Sequence, residues 1–429
     1  MDAVKGIFRM TPDFGDSKPI GNAVTKLFYA VATIFAFTLP ASSINLPSIF
    51  YPLAILAVIM GSVWLLSGRS VNRLSKSEGL MLLAWLAYPL AAFLEMHFRS
   101  GWNWSWFQEP SRFLLVMPLF LMLRHTGLVE AALKWGVWLG AILAGSWALY
   151  QHFGLGVQRV WGGTSGLINA FGDISLILGV MSIALFHQQW QQDKRWLVVA
   201  LLAFGFGAYA SLASGAKGGW ISVPFLIWIL AGLLPQPSIK KRVFLVALAG
   251  VGFALVVYFV PFIYQRVEVI VPAIYQYFAA GIIFDGSVGI RLGLWHSAFL
   301  TFLDNPLFGT GAGTFHRELL QDIELGLVPA QAGAISGAHS QLFESLVRFG
   351  VFGPLLIFSI YAAFIYHCKQ GLEYNPGLAT AGILMAIGFI DFGMVEHIWD
   401  INNAGVFFTL MMAIIAGALS AQKPTNEGR

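Results

Sequence analysis

The chain has 429 residues, of which 57% are hydrophobic and only 11% charged, and its mean hydropathy is +0.72. Soluble domains carry about 25% charged residues, so this composition excludes a soluble globular protein and indicates an all-α polytopic membrane protein. The formal net charge of +4 says little by itself, and the single cysteine, Cys368, excludes an internal disulfide and a cysteine metal cluster.

In chain order, residues 1–21 form a polar lead carrying Lys5, Arg9 and Lys18, which reads as cytoplasmic. The first apolar run, 22–40, is followed by Ala41-Ser42-Ser43, small residues of the kind that follow a signal peptide. An uncleaved first span fits better, because a second span follows at once. Runs near the roughly 20 residues that cross a bilayer recur at 22–40, 47–67, 78–97, 110–125, 129–153, 170–188, 196–213, 217–234, 242–264, 345–367, 376–394 and 402–421. The expectation is therefore about twelve transmembrane helices. Nine lie within 22–264 and three within 345–421. A long segment, 265–344, separates the two sets, and 422–429 forms a tail.

Basic residues orient this layout. Of the 25 Lys and Arg residues, 17 fall on the side of the termini and 8 on the other. By the positive-inside rule the termini are cytoplasmic and the long segment lies outside. Trp102, Trp104, Trp106 and Phe107 form an interfacial aromatic belt on that outer side. Arg112, at the outer start of the fourth span, and Asp173, about one turn into the sixth, are ionisable groups near membrane depth. Lys217 sits in a very short connection, Ala213-Ser214-Gly215-Ala216-Lys217-Gly218-Gly219-Trp220. Such groups cost several kcal/mol in lipid unless they face a cavity or a partner, or reach the headgroups.

The outer segment holds charge, histidine and glycine in a stretch too long for a plain connection. Residues 288–304 read as an amphipathic helix, with Leu292, Trp295, Phe299, Phe302 and Leu303 at helical spacing. Arg291 and Trp295 share a face, and Asp304-Asn305-Pro306 ends the helix. The glycines at 309, 311 and 313 make a tight turn, which reads as a loop more readily than as a phosphate cradle. A new helical pattern begins at His339, with Leu342, Phe343, Leu346 and Val347 on its apolar side. Ser340–Glu344 and Glu344–Arg348 are spaced as i,i+4 pairs. At a helix start, free N–H groups and the positive dipole end favour a neutral imidazole. A metal-dependent transferase would want an Asp-x-Asp cluster; the nearest approach, Asp322-Ile323-Glu324, reads as a water-facing turn of helix. No nucleotide-binding motif appears.

Three pieces together resemble the hallmark region of the O-antigen ligase and polymerase superfamily. They are Arg291 with Trp295, the run Pro306-Leu307-Phe308-Gly309-Thr310-Gly311-Ala312-Gly313-Thr314-Phe315, and His339 with Leu342, Glu344, Gly350 and Gly353. The resemblance is closest to the O-antigen ligases of Gram-negative bacteria. It implies an inverting, metal-independent glycosyltransferase of the inner membrane, without a cofactor, whose active site faces the periplasm. The donor would be O-antigen on undecaprenyl pyrophosphate and the acceptor the lipid A–core, with no nucleic-acid partner. Residue by residue, Arg291 matches the arginine expected on the donor pyrophosphate and His339 the histidine expected at the acceptor. Lys217 stands where an arginine is usual; it keeps the charge and loses the bidentate fork. Asp391, near Glu396, His397 and Asp400, is a further substrate-binding candidate beside Arg112 and Asp173. The same resemblance extends to O-antigen polymerases and to protein O-oligosaccharyltransferases, although the latter usually carry a longer C-terminal region. A transporter would show broken helices and paired repeats with midplane charges, whereas here the charges gather at the outer rim.

Overall fold

The computed structural model describes residues 19–67, 73–126, 130–162, 168–283 and 287–424. Most of the polar lead, Asp285-Gly286 at the opening of the outer segment, and the end of the tail lie outside the described residues. Every regular element among the described residues is helical. The longer ones are α1 (Pro19–Asn45), α2 (Pro47–Leu66), α3 (Lys76–Glu95), α4 (Trp104–Thr126), α5 (Glu130–Leu149), α6 (Ile168–Leu185), α7 (Arg195–Ser214), α8 (Val223–Leu230), α9 (Ile239–Phe259), α10 (Pro261–Glu268), α11 (Ile270–Ala280), α12 (Val288–Asp304), α13 (Phe315–Glu324), α14 (Gln341–Phe349), α15 (Phe352–Gly371), α16 (Pro376–Val395) and α17 (Asn402–Gln422).

Ten helices among the described residues are long and apolar enough to cross a membrane, which makes this a multi-pass membrane protein. The expected count of twelve is not reached on that measure. Two of the expected spans account for the difference, each for a physical reason. The span at 110–125 falls in α4, which is long enough but carries Glu109, Arg112 and Arg124 together with Pro110 and Pro118. The span at 217–234 is broken. Gly215 ends α7 in the left-handed conformation, a 3₁₀ turn runs Lys217–Trp220, and the apolar helix that follows covers only Val223–Leu233. At 1.5 Å per residue that is roughly 16 Å, about half a hydrocarbon core. Boundaries shift elsewhere too. The span expected at 345–367 starts at Phe352, because Gly350 adopts a positive φ and separates α14 from α15. Val260-Pro261 stops α9 before residue 264.

α6, α16 and α17 form the buried centre of the bundle, whereas no residue of α9 is buried. α6 packs on α7, α17 on α4, and α1 on α5. Small residues allow the close crossings usual between membrane helices. A side chain on Gly136 would strike the backbone of Phe37, and one on Gly207 would strike that of Ser175. A smaller second core, with Leu294, Phe315, Leu319 and Val347, binds α12, α13 and α14 into one unit. That unit sits at the end of the bundle where α6 begins and α16 ends, which is where the site lies.

Candidate functional site

Lys217, Arg291 and Asp173, read from sequence as separate candidates, line one cavity of about 400 Å³. α12 supplies Arg291 and Trp295 from the same face, as their spacing required. Arg291 Nε donates to the carbonyl of Val395 at 2.7 Å, capping the C-terminal end of α16. Its Nη1 donates to Ser287 O at 2.9 Å, and its Nη2 reaches Glu396 Oε2 at 3.4 Å. A guanidinium has five N–H donors, so this anchoring leaves others for a ligand. Lys217 follows the left-handed turn at Gly215, and its Nζ donates to Ser287 Oγ at 3.1 Å. Asp173 is buried at the floor, and a Cβ on Gly219 would come within 2.6 Å of its Oδ1.

Two further cations line the same cavity, and neither was picked out from the sequence. Arg159 donates from Nε to Ser214 O at 2.8 Å and from Nη2 to Asn169 Oδ1 at 3.1 Å. Arg266 comes from α10. Burial, together with the charges of Arg266 and Arg291, pushes the Arg159 guanidinium below its ordinary range. The signal for both was present: the side read from sequence as outer holds few basic residues, so each one there is informative.

His339 lies beside this cavity and touches it through Glu396. Its Nδ1 is 2.7 Å from Glu396 Oε1. Glu396 Oε2 accepts from Asn169 Nδ2 at 2.9 Å and faces Arg291 Nη2. Burial alone would push the Glu396 carboxyl up, but His339, Asn169 and Arg291 together hold it below the usual range. The backbone places His339 by an unusual route. It has φ of +46°, in the left-handed region that a side chain seldom adopts. Ser340 is the N-cap of α14, and its hydroxyl donates to Gly393 O at 3.3 Å, fastening this turn to the end of α16. His339 is therefore outside the helix, two residues before its first member. The helix-start argument for its protonation does not apply, because the group facing its ring is the Glu396 carboxylate. Glu396 was noted in the sequence as a neighbour of Asp391 and given no role of its own.

The remaining candidates lie elsewhere. Asp391 Oδ2 accepts from the backbone N–H of Ser222 at 2.7 Å, at the start of α8. Arg112 donates to the carbonyl of Trp399 and to Asn402 Oδ1, away from the cleft. It belongs to a second charged cluster. There Glu95 pairs with Arg348 (3.3 Å), accepts from Ala312 N (3.1 Å) and from Ser100 Oγ, and so holds the glycine-rich turn. Gly309, Gly311 and Gly313 all have positive φ and pack against Val347, Glu95 and Trp106, which bears out the reading of this stretch as a loop. Arg348 thus goes to Glu95, while Glu344 accepts from Ala338 N at 2.9 Å; the expected Glu344–Arg348 pair is replaced by these two contacts. Glu109 accepts from Tyr88 and Gln341 and pairs with His397 at 3.4 Å. Asp322 turns toward α12, where Ser297 donates to it at 2.5 Å, so it is half-buried rather than water-facing. Among the described residues no group of three or more His, Cys, Asp or Glu side chains is placed to hold a metal ion.

Residues 200–358 match the model of a family described as O-antigen ligase. That segment contains Lys217, Arg266, Arg291 and His339. A protein of Haemophilus influenzae, described only as uncharacterized, is 24% identical over 318 residues, covering 72% of this chain and 78% of its own length. The matched segment contains three of the four cleft cations and the histidine beside them, and over those residues the chain is similar to the O-antigen ligase superfamily.

Proposed function

We propose that the chain is the ligase of this superfamily, transferring O-antigen from undecaprenyl pyrophosphate to lipid A–core on the periplasmic face of the inner membrane. The observation that carries the reading is the charge of the cleft: Arg159, Lys217, Arg266 and Arg291 face one cavity against Glu396 and Asp173. A cavity with surplus cations suits a doubly charged diphosphate. The acceptor hydroxyl oxygen attacks the anomeric carbon of the phosphate-linked sugar from the opposite side, inverting it. The C–O bond to phosphate breaks, and its electron pair leaves with the lipid pyrophosphate. Arg291 and Lys217 stabilise the growing oxygen charge, which fixed cations do well in a partly dry site. His339 takes the hydroxyl proton on Nε2. No metal ion enters this scheme.

The test is a transfer assay with purified protein, lipid-linked donor and lipid A–core acceptor in excess EDTA. The expected product is polymer on lipid A–core. Elongation of the lipid-linked chain instead would make the protein a polymerase. Activity lost in EDTA and restored by magnesium or manganese would return attention to Asp322 and Glu324.

A further inference from the structure

Glu396 is a carboxylate on the wall of a cleft read here as an anion site. Its charge opposes the binding of a diphosphate, so its place there calls for a second function. Its two oxygens are divided. Oε2 is anchored by Asn169 Nδ2 at 2.9 Å and by Arg291 Nη2 at 3.4 Å, which leaves Oε1 aimed at His339 Nδ1, 2.7 Å away. Asn169 is itself fixed by Arg159, 3.1 Å from its Oδ1. The Glu396 side chain is only 11% exposed, so these contacts act with reduced competition from water.

We propose that Glu396 is the positioning residue for His339, holding its proton on Nδ1 so that Nε2 presents a lone pair to the acceptor hydroxyl. This rests on the ligase reading above. A hydrogen bond at one ring nitrogen sets the tautomer at the other. During transfer Nε2 gains the hydroxyl proton, the ring becomes an imidazolium, and Glu396 stabilises that cation without taking a proton. The same carboxylate touches Arg291, so the proton acceptor and the donor-phosphate arginine are held in one register. The left-handed backbone at His339 has a consequence here: the ring is placed by a turn of sparsely populated conformation, and the bond to Glu396 helps keep it there.

The experiment is steady-state transfer by purified full-length variants, with donor and acceptor varied separately. Glu396→Ala should lower kcat by about 10–100-fold, the usual cost of losing an orienting partner, while the donor KM stays level or falls, since a negative charge has left the cleft. Glu396→Gln keeps an oxygen for Nδ1–H and should lose less. In a His339→Gln background, Glu396→Gln should add no further loss, because its effect runs through the ring. Losses that multiply in the double variant would overturn the proposal. A raised donor KM with unchanged kcat would overturn it as well and place Glu396 in support of Arg291. If Glu396→Ala does not fold, the isosteric Gln variant and the double variant decide alone. A wild-type protein that transfers nothing to lipid A–core would count against the ligase reading itself; wild-type transfer with an unaffected Glu396→Gln would sink this inference only.

Discussion

Two charged clusters occupy the same end of the bundle, and they are built on opposite plans. Around the buried Glu95, Glu109, Arg112 and Arg348 and the half-buried His397, each carboxylate has a cation against it, Glu95 with Arg348 and Glu109 with His397, while Arg112 is held by the Trp399 carbonyl and Asn402, and Glu95 braces the glycine-rich turn. Around Glu396, four cations meet two carboxylates across an open cavity. A cluster whose carboxylates are each paired and packed serves to hold α3, α4, α14 and the loop before α17 together. A cluster with surplus charge and space is incomplete without a ligand of opposite sign. Type of residue does not separate the two: both contain arginine, glutamate and histidine. What separates them is the charge balance and the room left over.

That contrast predicts which substitutions act on rate and which on stability. The largest effect belongs to Arg291. Arg291→Ala should abolish transfer at normal protein level, and Arg291→Lys should recover only part, since the charge stays but the fork is lost. Full activity in the alanine variant would remove Arg291 from the mechanism. His339→Ala should follow, with a loss of roughly 10²–10⁴-fold for a missing general base and donor-lipid binding retained. His339→Gln should be nearly as poor; if it keeps most of the rate, the ring only positions the acceptor.

The paired cluster should behave in the other way. Glu95→Ala leaves Arg348 buried without its carboxylate, which typically costs about 3–5 kcal/mol. The melting temperature should drop clearly, while the rate per folded molecule changes little. A rate loss without a stability loss would break the distinction drawn here. The smallest effect is a pH dependence. Burial alone would push the His397 imidazole down, but Glu109, with Glu344 and Asp400 farther off, raises it to about 9. A pKa above its unfolded value near 6.5 means stabilisation that is complete below that value. It is lost as pH rises through about 9. Melting curves from pH 6 to 9.5 should therefore show a loss of stability in wild type that His397→Gln lacks. Equal slopes in the two would show that the pair does not titrate in this window.

Much of this was legible beforehand because it depends on local pattern. Apolar runs long enough to cross a bilayer announce themselves through length and hydropathy. The shared face of Arg291 and Trp295 follows from helical spacing alone. The run at 217–234 misled because hydropathy does not register that a 3₁₀ turn at Lys217–Trp220 takes up its first residues and the α-helix begins only at Val223, with Pro224 in its first turn. Arg159, Arg266 and Glu396 were missed for a different reason: each lies in a separate part of the chain, and none belongs to a motif that names its neighbour.

Composition and hydropathy by themselves determined that the chain is helical, embedded in a membrane, and equipped with a polar segment rich in candidate residues. These are properties of consecutive residues, which share one backbone and one solvent. Tertiary structure alone decided which candidates meet. It brought Arg159, Lys217, Arg266 and Arg291 to one cavity and took Arg112 to another cluster. It also set Glu396 against His339, 57 residues earlier in the chain. The physical reason is that an ionisable group near membrane depth must find a partner or a cavity, and which of these it finds depends on helices packed far apart in sequence.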